Sequence, residues 1–284
     1  MKLELFRTLW GDQRDWQDII PEIREAGFTG IEARIPGEAS VCKEKALVLQ
    51  NEGIPYIAIA LTGGGVIPRQ SATMDEHLDD LRDALRRADV MHPHFINVLG
   101  GNDRWSAAQQ ADFINAAHEI GRDHGCKCVF ETHRSRILFS PWITLDVLRQ
   151  CPDAEFTADI SHWVVVCERL LNDPFDNFDA FINRVHHVQA RTGYDQGPQT
   201  PHPGAPEYKD ALNFHQDFWK SIWESQRRRG YTVTTMTPEF GPDGYLHTLP
   251  FTNAPVADLW ELNRWIGTEE KRLFDVWSQE KQEA

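Results

Sequence analysis

Eight short apolar runs, most of them rich in Val, Ile, Phe or Thr, recur along this chain, and each is followed by a polar–apolar stretch with helical spacing. The runs are Leu3–Leu9, Gly30–Ile35, Tyr56–Leu61, Phe95–Leu99, Cys126–Thr132, Phe156–Ile160, Val185–Arg191 and Tyr231–Pro238. Helices are expected over Asp15–Ala26, Ala39–Glu52, Thr73–Ala88, Ser106–His124, Thr144–Gln150, Val164–Leu171, Phe175–Asn183, Glu207–Arg229 and Ala257–Trp277. Thr73 with Glu76, and Ser106 with Gln109, have capping-box spacing, while Gly27, Gly53 and Gly125 stand just past three helix ends. Arg227–Arg229 before Gly230 reads as a last helical turn, where cations meet the macrodipole.

Strand–helix alternation implies a parallel sheet, and eight units in 284 residues suit a closed (β/α)8 barrel with an additional C-terminal helix, one domain over 1–284. A doubly wound sheet needs fewer strands and usually a Gly-rich first turn. Here that turn is Trp10-Gly11-Asp12-Gln13, without G-x-G-x-x-G. The long stretch Thr192–Pro206, rich in Gly and Pro, follows the seventh strand on the face where barrel loops build sites. It is expected to be ordered but not helical, with Tyr194, Gln199 and His202 available to a substrate or a neighbouring subunit.

Charge excludes some partners. With 43 acidic against 29 basic residues the net charge is −14, which weighs against nucleic acid and anionic membranes. No apolar run approaches the roughly 18 residues of a membrane span. Met1–Arg7 intersperses charges and lacks a cleavage site, so no signal peptide is expected. The five cysteines are odd in number and lack zinc-ribbon spacing; they read as reduced thiols of a cytoplasmic protein.

Chemistry collects at the carboxyl ends of the later strands, where side-chain alternation decides what can meet. Glu131 and His133 share a face; so do His187, Gln189 and Arg191, with His186 pointing outward. If Glu131, Asp159, Gln189 and Glu239 all face inward, three carboxylates and one neutral acceptor converge. Buried together, carboxylates raise one another's pKa, and a divalent cation removes the conflict. Oxygen donors suit Mn²⁺ first, with Mg²⁺ or Co²⁺ as alternatives. His162 either caps the following helix or hangs over the same mouth. Trp10, Trp105 and Trp163 are candidates for stacking on a sugar or for the core.

Four strings carry a family resemblance: Gly27-Phe28-Thr29-Gly30-Ile31-Glu32, Phe130-Glu131-Thr132-His133-Arg134, Asp159-Ile160-Ser161-His162-Trp163 and Thr237-Pro238-Glu239-Phe240-Gly241. With the seventh strand they span most of the chain, which resembles the xylose-isomerase-like TIM barrel superfamily. The nearest group is the sugar phosphate isomerases and epimerases, with ketose 3-epimerases and inosose dehydratases. The resemblance implies one divalent metal ion, held at Glu131, Asp159, Gln189 and Glu239. Where members of the group carry a metal-binding His, this chain has Gln189; His187 is the alternative, after a register shift of two. No His stands at the tips of strands three and four, which argues against the trinuclear zinc site of endonuclease IV.

The implied activity is a metal-dependent isomerase or epimerase acting on a sugar or keto-sugar through an enediolate. Glu131 and Glu239 would move the proton, with His162 as a further catalytic residue and His133, His187, Arg191 and Trp163 contacting substrate. The alternative is a lyase or dehydratase that eliminates water or an aglycone from a 3-keto sugar or glycoside. That includes C-glycoside cleavage with a smaller partner chain, and it needs a general acid such as His162, His187 or His133. A third reading is a non-catalytic sugar-binding protein. The scarcity of Lys in the late loops leans against a phosphosugar, although Arg134, Arg136 and Arg191 lie there. Leu259, Trp260, Leu262, Ile266, Phe274 and Trp277 give the last helix more apolar surface than barrel closure obviously needs, so a homo-oligomer is expected.

Overall fold

The computed structural model describes residues 1–283, so Ala284 of the expected domain range lies outside the described residues. Eight parallel strands close into one barrel in the order of the sequence: β1 Lys2–Thr8, β2 Gly30–Arg34, β3 Tyr56–Leu61, β4 Ile96–Leu99, β5 Cys128–Glu131, β6 Glu155–Ala158, β7 Val185–Ala190 and β8 Val233–Pro238. Closure is made by β1 against β8, with Lys2 opposite Val233 and Leu5 opposite Met236. The helices are α1 Trp16–Glu25, α2 Ala39–Glu52, α3 Met74–Ala88, α4 Ala107–Asp123, α5 Pro141–Leu148, α6 Ser161–Cys167, α7 Asp179–Ile182, α8 Lys209–Arg228 and α9 Leu259–Glu283.

Local chemistry accounts for the helix ends. Both capping boxes form: Thr73 accepts from the Glu76 amide (3.2 Å) and Ser106 from that of Gln109 (3.3 Å). Each is worth about 1 kcal/mol. Gly53 closes α2 at φ 61°, where a side chain would be strained. Three expected helices differ: Phe175–Asn183 shrinks to Asp179–Ile182, and two others are shifted. The fifth begins at Pro141 rather than Thr144, because proline suits a first turn. The sixth begins at Ser161 and stops at Cys167, where Glu168 turns left-handed at φ 53°.

Phe6, Ile57, Phe95 and Val129 pack within the barrel as their own small cluster. Around the sheet, the helices bury one large apolar layer. In the last helix Leu262, Ile266, Phe274 and Trp277 are buried in that layer, and Leu259 and Trp260 are half-buried against it. The large apolar residues of α9 thus pack on the chain's own barrel. The reason lies in its length and course: α9 packs on β8 and β1, over the seam where the barrel closes. Among the described residues no helix is long and apolar enough to cross a membrane. All five cysteines are free thiols.

Candidate active site and metal centre

Two tiers of polar side chains stand in the barrel. The deeper holds Glu32 on β2, Asn97 on β4, and His187 and Gln189 on β7, all fully buried. Asn97 Nδ2 donates to Glu131 Oε2 (2.6 Å) and lies 3.3 Å from Glu32 Oε1. Gln189 Nε2 donates to Glu32 Oε1 at 2.8 Å. That bond fixes which end of the amide faces Glu32 and leaves Gln189 Oε1 buried with no partner. A carbonyl oxygen so placed is free to meet a cation.

The upper tier is the acid cluster. Glu131 ends β5, Asp159 follows β6 and Glu239 follows β8; one oxygen of each lies within 4.8 Å of the others. Burial pushes the Glu131 carboxyl well up, and its neighbours Glu239, Asp159 and Glu32 push it further. Glu239 is raised to about 8, by burial first, with Arg191 opposing and Asp159 adding. Burial also raises Asp159, against the pull of Arg191 and Ser161.

Arg191, just past β7, is a cation buried among these acids. It donates to Asp159, to His162 Nε2 (2.9 Å) and to Ser161 Oγ (3.2 Å), and its Nη1 lies 3.4 Å from Glu239 Oε2. Burial alone would lower the guanidinium's pKa; Asp159 and Glu239 more than offset it, so the group stays charged. Asp159 is pinned in turn, accepting from the Ser161 amide (3.1 Å) and hydroxyl (2.5 Å).

The His133 and His162 rings lie with centroids 4.0 Å apart and planes tilted by 48°. Burial drives His133 down to about 3 and His162 well below its usual value, with Arg191 adding to both. Burial thus favours the neutral form of both rings. His133 Nδ1 donates to the Arg134 carbonyl (2.6 Å), leaving Nε2 as an acceptor.

These groups open into a cavity of about 390 Å³, whose lining includes Glu131, His133, Arg191, Glu239, Trp10 and Tyr245. Trp10 is held by its indole N–H on Asp243 (2.8 Å) and by Tyr245 at 5.0 Å. At Gly241 any side chain would overlap the Trp10 ring. Gln199 secures this arrangement, accepting from the Gly241 amide (2.9 Å) and donating to its carbonyl (3.3 Å). The Thr192–Pro206 loop is ordered and free of α-helix, and its Gly193 amide donates to buried His215 on α8 (3.3 Å).

Several expected contacts fall elsewhere. Trp163 does not line the cavity: it is fully buried against Phe178 and Phe181, its N–H on the Leu138 carbonyl (2.9 Å). One helical step past His162 turns it from the mouth into the core. His187 does not line the cavity either. It sits a tier too deep, its Nδ1 paired with Thr235 Oγ1 (2.8 Å) and its ring against Phe95. Gln199 is occupied by Gly241, and His202 packs on Trp265 outside the cavity. Trp105 packs on His77 and Phe113. Glu32 and Asn97 received no role from sequence reasoning, although a Glu inside an apolar strand was a visible signal. Nothing marked Tyr245.

The acid cluster fits a divalent ion: three converging hard oxygens and more negative charge than Arg191 neutralises.

Comparison with known proteins gives a consistent picture. A family model described as xylose isomerase-like TIM barrel matches residues 20–199. No curated protein sequence matches the chain. Among solved structures, a xylose isomerase-like TIM barrel protein from Mycobacterium smegmatis in complex with magnesium is 14% identical with a TM-score of 0.62, covering 95% of this chain and 97% of that one. The 3-keto-D-glucoside 4-epimerase of E. coli is 11% identical at 0.61, covering 95% and 100%. The probable 3-DHS dehydratase of Bacillus anthracis is 16% identical at 0.58, covering 86% and 94%. At such identities the likeness is one of fold. With the family model matching well over half its residues, the chain belongs to the xylose isomerase-like TIM barrels.

Proposed function

We propose that this protein is a divalent-metal-dependent isomerase or epimerase of a sugar or keto-sugar. One observation carries the reading: Glu131, Asp159 and Glu239, buried and mutually repelling, converge at the cavity floor. Those three, with Gln189 Oε1, would hold the ion, and the magnesium of the Mycobacterium neighbour supports it. Bound there, it would polarise adjacent substrate oxygens and acidify the C–H beside the carbonyl.

The protein's own groups do the rest. One of Glu131 and Glu239 takes the proton from the carbon, and the electron pair flows into the carbonyl to give an enediolate. The other returns a proton, from the opposite side in epimerisation. Arg191 and His133, which line the cavity, would hold the substrate oxygens, with His162 behind them bonded to Arg191 and with Trp10 and Tyr245 in the cavity wall.

Elimination from a 3-keto sugar is the weaker reading. Beyond the shared enediolate it needs a proton donor for the leaving group; burial makes His133 and His162 poor ones and His187 does not line the cavity, so that role too would fall to the raised carboxyls Glu131 and Glu239. Glu239→Gln tests the main reading: the variant should fold, and exchange of a substrate C–H proton into D₂O should fall at least a thousandfold, about 4 kcal/mol. Retained exchange would remove Glu239 from the chemistry.

A further inference from the structure

The wall of the cavity opposite the acids is basic. Strand β2 ends Glu32-Ala33-Arg34, and alternation puts Arg34 on the same inward face as Glu32. In an eight-stranded barrel β2 stands across from β6, so Arg34 faces the side that carries Asp159. Arg34 and Lys45, the latter from α2 of the same βα unit, line one cavity with Glu131 and Glu239.

Their charges are satisfied unequally. Lys45, with its side chain 14% exposed, pairs with two largely exposed rim carboxylates, Asp15 (3.2 Å) and Glu44 (3.1 Å). Arg34 is exposed at the strand end and makes no salt bridge among the described residues, although its charge reaches far enough to lower the Glu239 pKa. The other rim acids are engaged: Asp12 with Arg7 and Arg14, and Asp243 with the Trp10 indole. In a chain with 43 acids to 29 bases, a cation facing into a ligand cavity without an ion-pair partner calls for an explanation. Its planar fork suits a carboxylate or phosphate.

We propose that the substrate carries an anionic group, carboxylate or phosphate, at the end remote from the reacting carbon, and that Arg34, assisted by Lys45, selects it. The proposal deepens the keto-sugar reading and rests on it. A cavity of about 390 Å³ lies within the range of small-molecule sites, roughly 300–1,000 Å³. The arginines of the late loops are engaged: Arg134 over Tyr245, Arg136 on backbone carbonyls, Arg191 on carboxylates. The cations that matter come from the second unit.

The test is calorimetric binding of D-fructose, D-fructose 6-phosphate and 2-keto-D-gluconate to the magnesium-loaded protein and to Arg34→Gln and Lys45→Gln. At least one anion should bind tenfold or more tighter than D-fructose, and which one does so names the group. Arg34→Gln should weaken that anion by roughly tenfold to a hundredfold and leave D-fructose unchanged. Lys45→Gln should act in the same direction, more weakly. Arg34 is exposed, and an unchanged melting midpoint verifies the fold. Equal weakening of neutral and anionic ligands would overturn the proposal and make Arg34 a counter-charge for the buried acids; so would failure of both anions to bind. Turnover plays no part in this readout. Arg34-dependent binding without proton exchange refutes the enediolate and leaves the anion site, whereas exchange without Arg34 dependence does the reverse.

Discussion

Arg136 and Arg191 are both sealed from water, and the regions they anchor behave oppositely. Arg136 follows β5 and donates to backbone carbonyls of the loop after β3: Thr62 (2.6 Å), Val66 (3.1 Å) and Gly65. It fastens one loop to another with neutral dipoles, and burial lowers its pKa to about 10. Arg191 meets carboxylates instead, and those partners hold its charge in place. Carbonyls give a fixed cross-link; carboxylates give a charge balance that a ligand can alter.

Substitution should separate the two. Arg191→Met should cut proton exchange about a thousandfold, near 4 kcal/mol, while the melting midpoint of the metal-loaded protein moves little. Arg136→Met should invert that pattern. Three carbonyls lose their donor, stability should fall by about 3 kcal/mol in urea unfolding, and turnover per folded molecule should stay within tenfold. If both variants lose stability and activity in the same proportion, the contrast between the regions collapses.

Glu270 extends the contrast to a buried acid whose partner is neutral. On α9 it accepts from Gln216 (2.8 Å), its second oxygen has no partner, and burial raises its pKa to about 8. The folded state therefore keeps its proton to higher pH than the unfolded chain does. Stability is untouched below about pH 4.5 and declines as pH rises from there towards 8. Glu270→Gln should gain about 2 kcal/mol at pH 7 and flatten that slope in unfolding curves between pH 5 and 8. A loss of stability at pH 7 would mean that the carboxylate is stabilised by a charge.

Period and punctuation made the barrel legible. Strand alternation, two capping boxes and glycines at helix ends are local signals, and each agreed with the global fold. Alternation was also enough to bring Glu131, Asp159 and Glu239 together. It carries no depth, however. His187, Gln189 and Arg191 share a face, yet two residues of strand span roughly 6–7 Å, so one lies in the deep tier and another at the mouth. Trp163 misled for a related reason: beside His162 in sequence, it is rotated about 100° from it on a helix. The Arg34 wall went unread because a single Arg at a strand end is ordinary until the cavity it faces is known.

The seam between β1 and β8 has a consequence in time. Lys2 must meet Val233, so one edge of the first strand waits about 230 residues for its partner. At ribosomal speeds of roughly 5–20 residues per second, that is about 10–50 s with a row of backbone amides and carbonyls unsealed. Loop-closure entropy makes this the most expensive pairing in the sheet, and it is absent until the eighth unit emerges. A nascent chain held short of β8 is therefore an open, sticky ribbon with half a ligand cavity, and an edge that neighbouring chains can capture before its own last strand arrives.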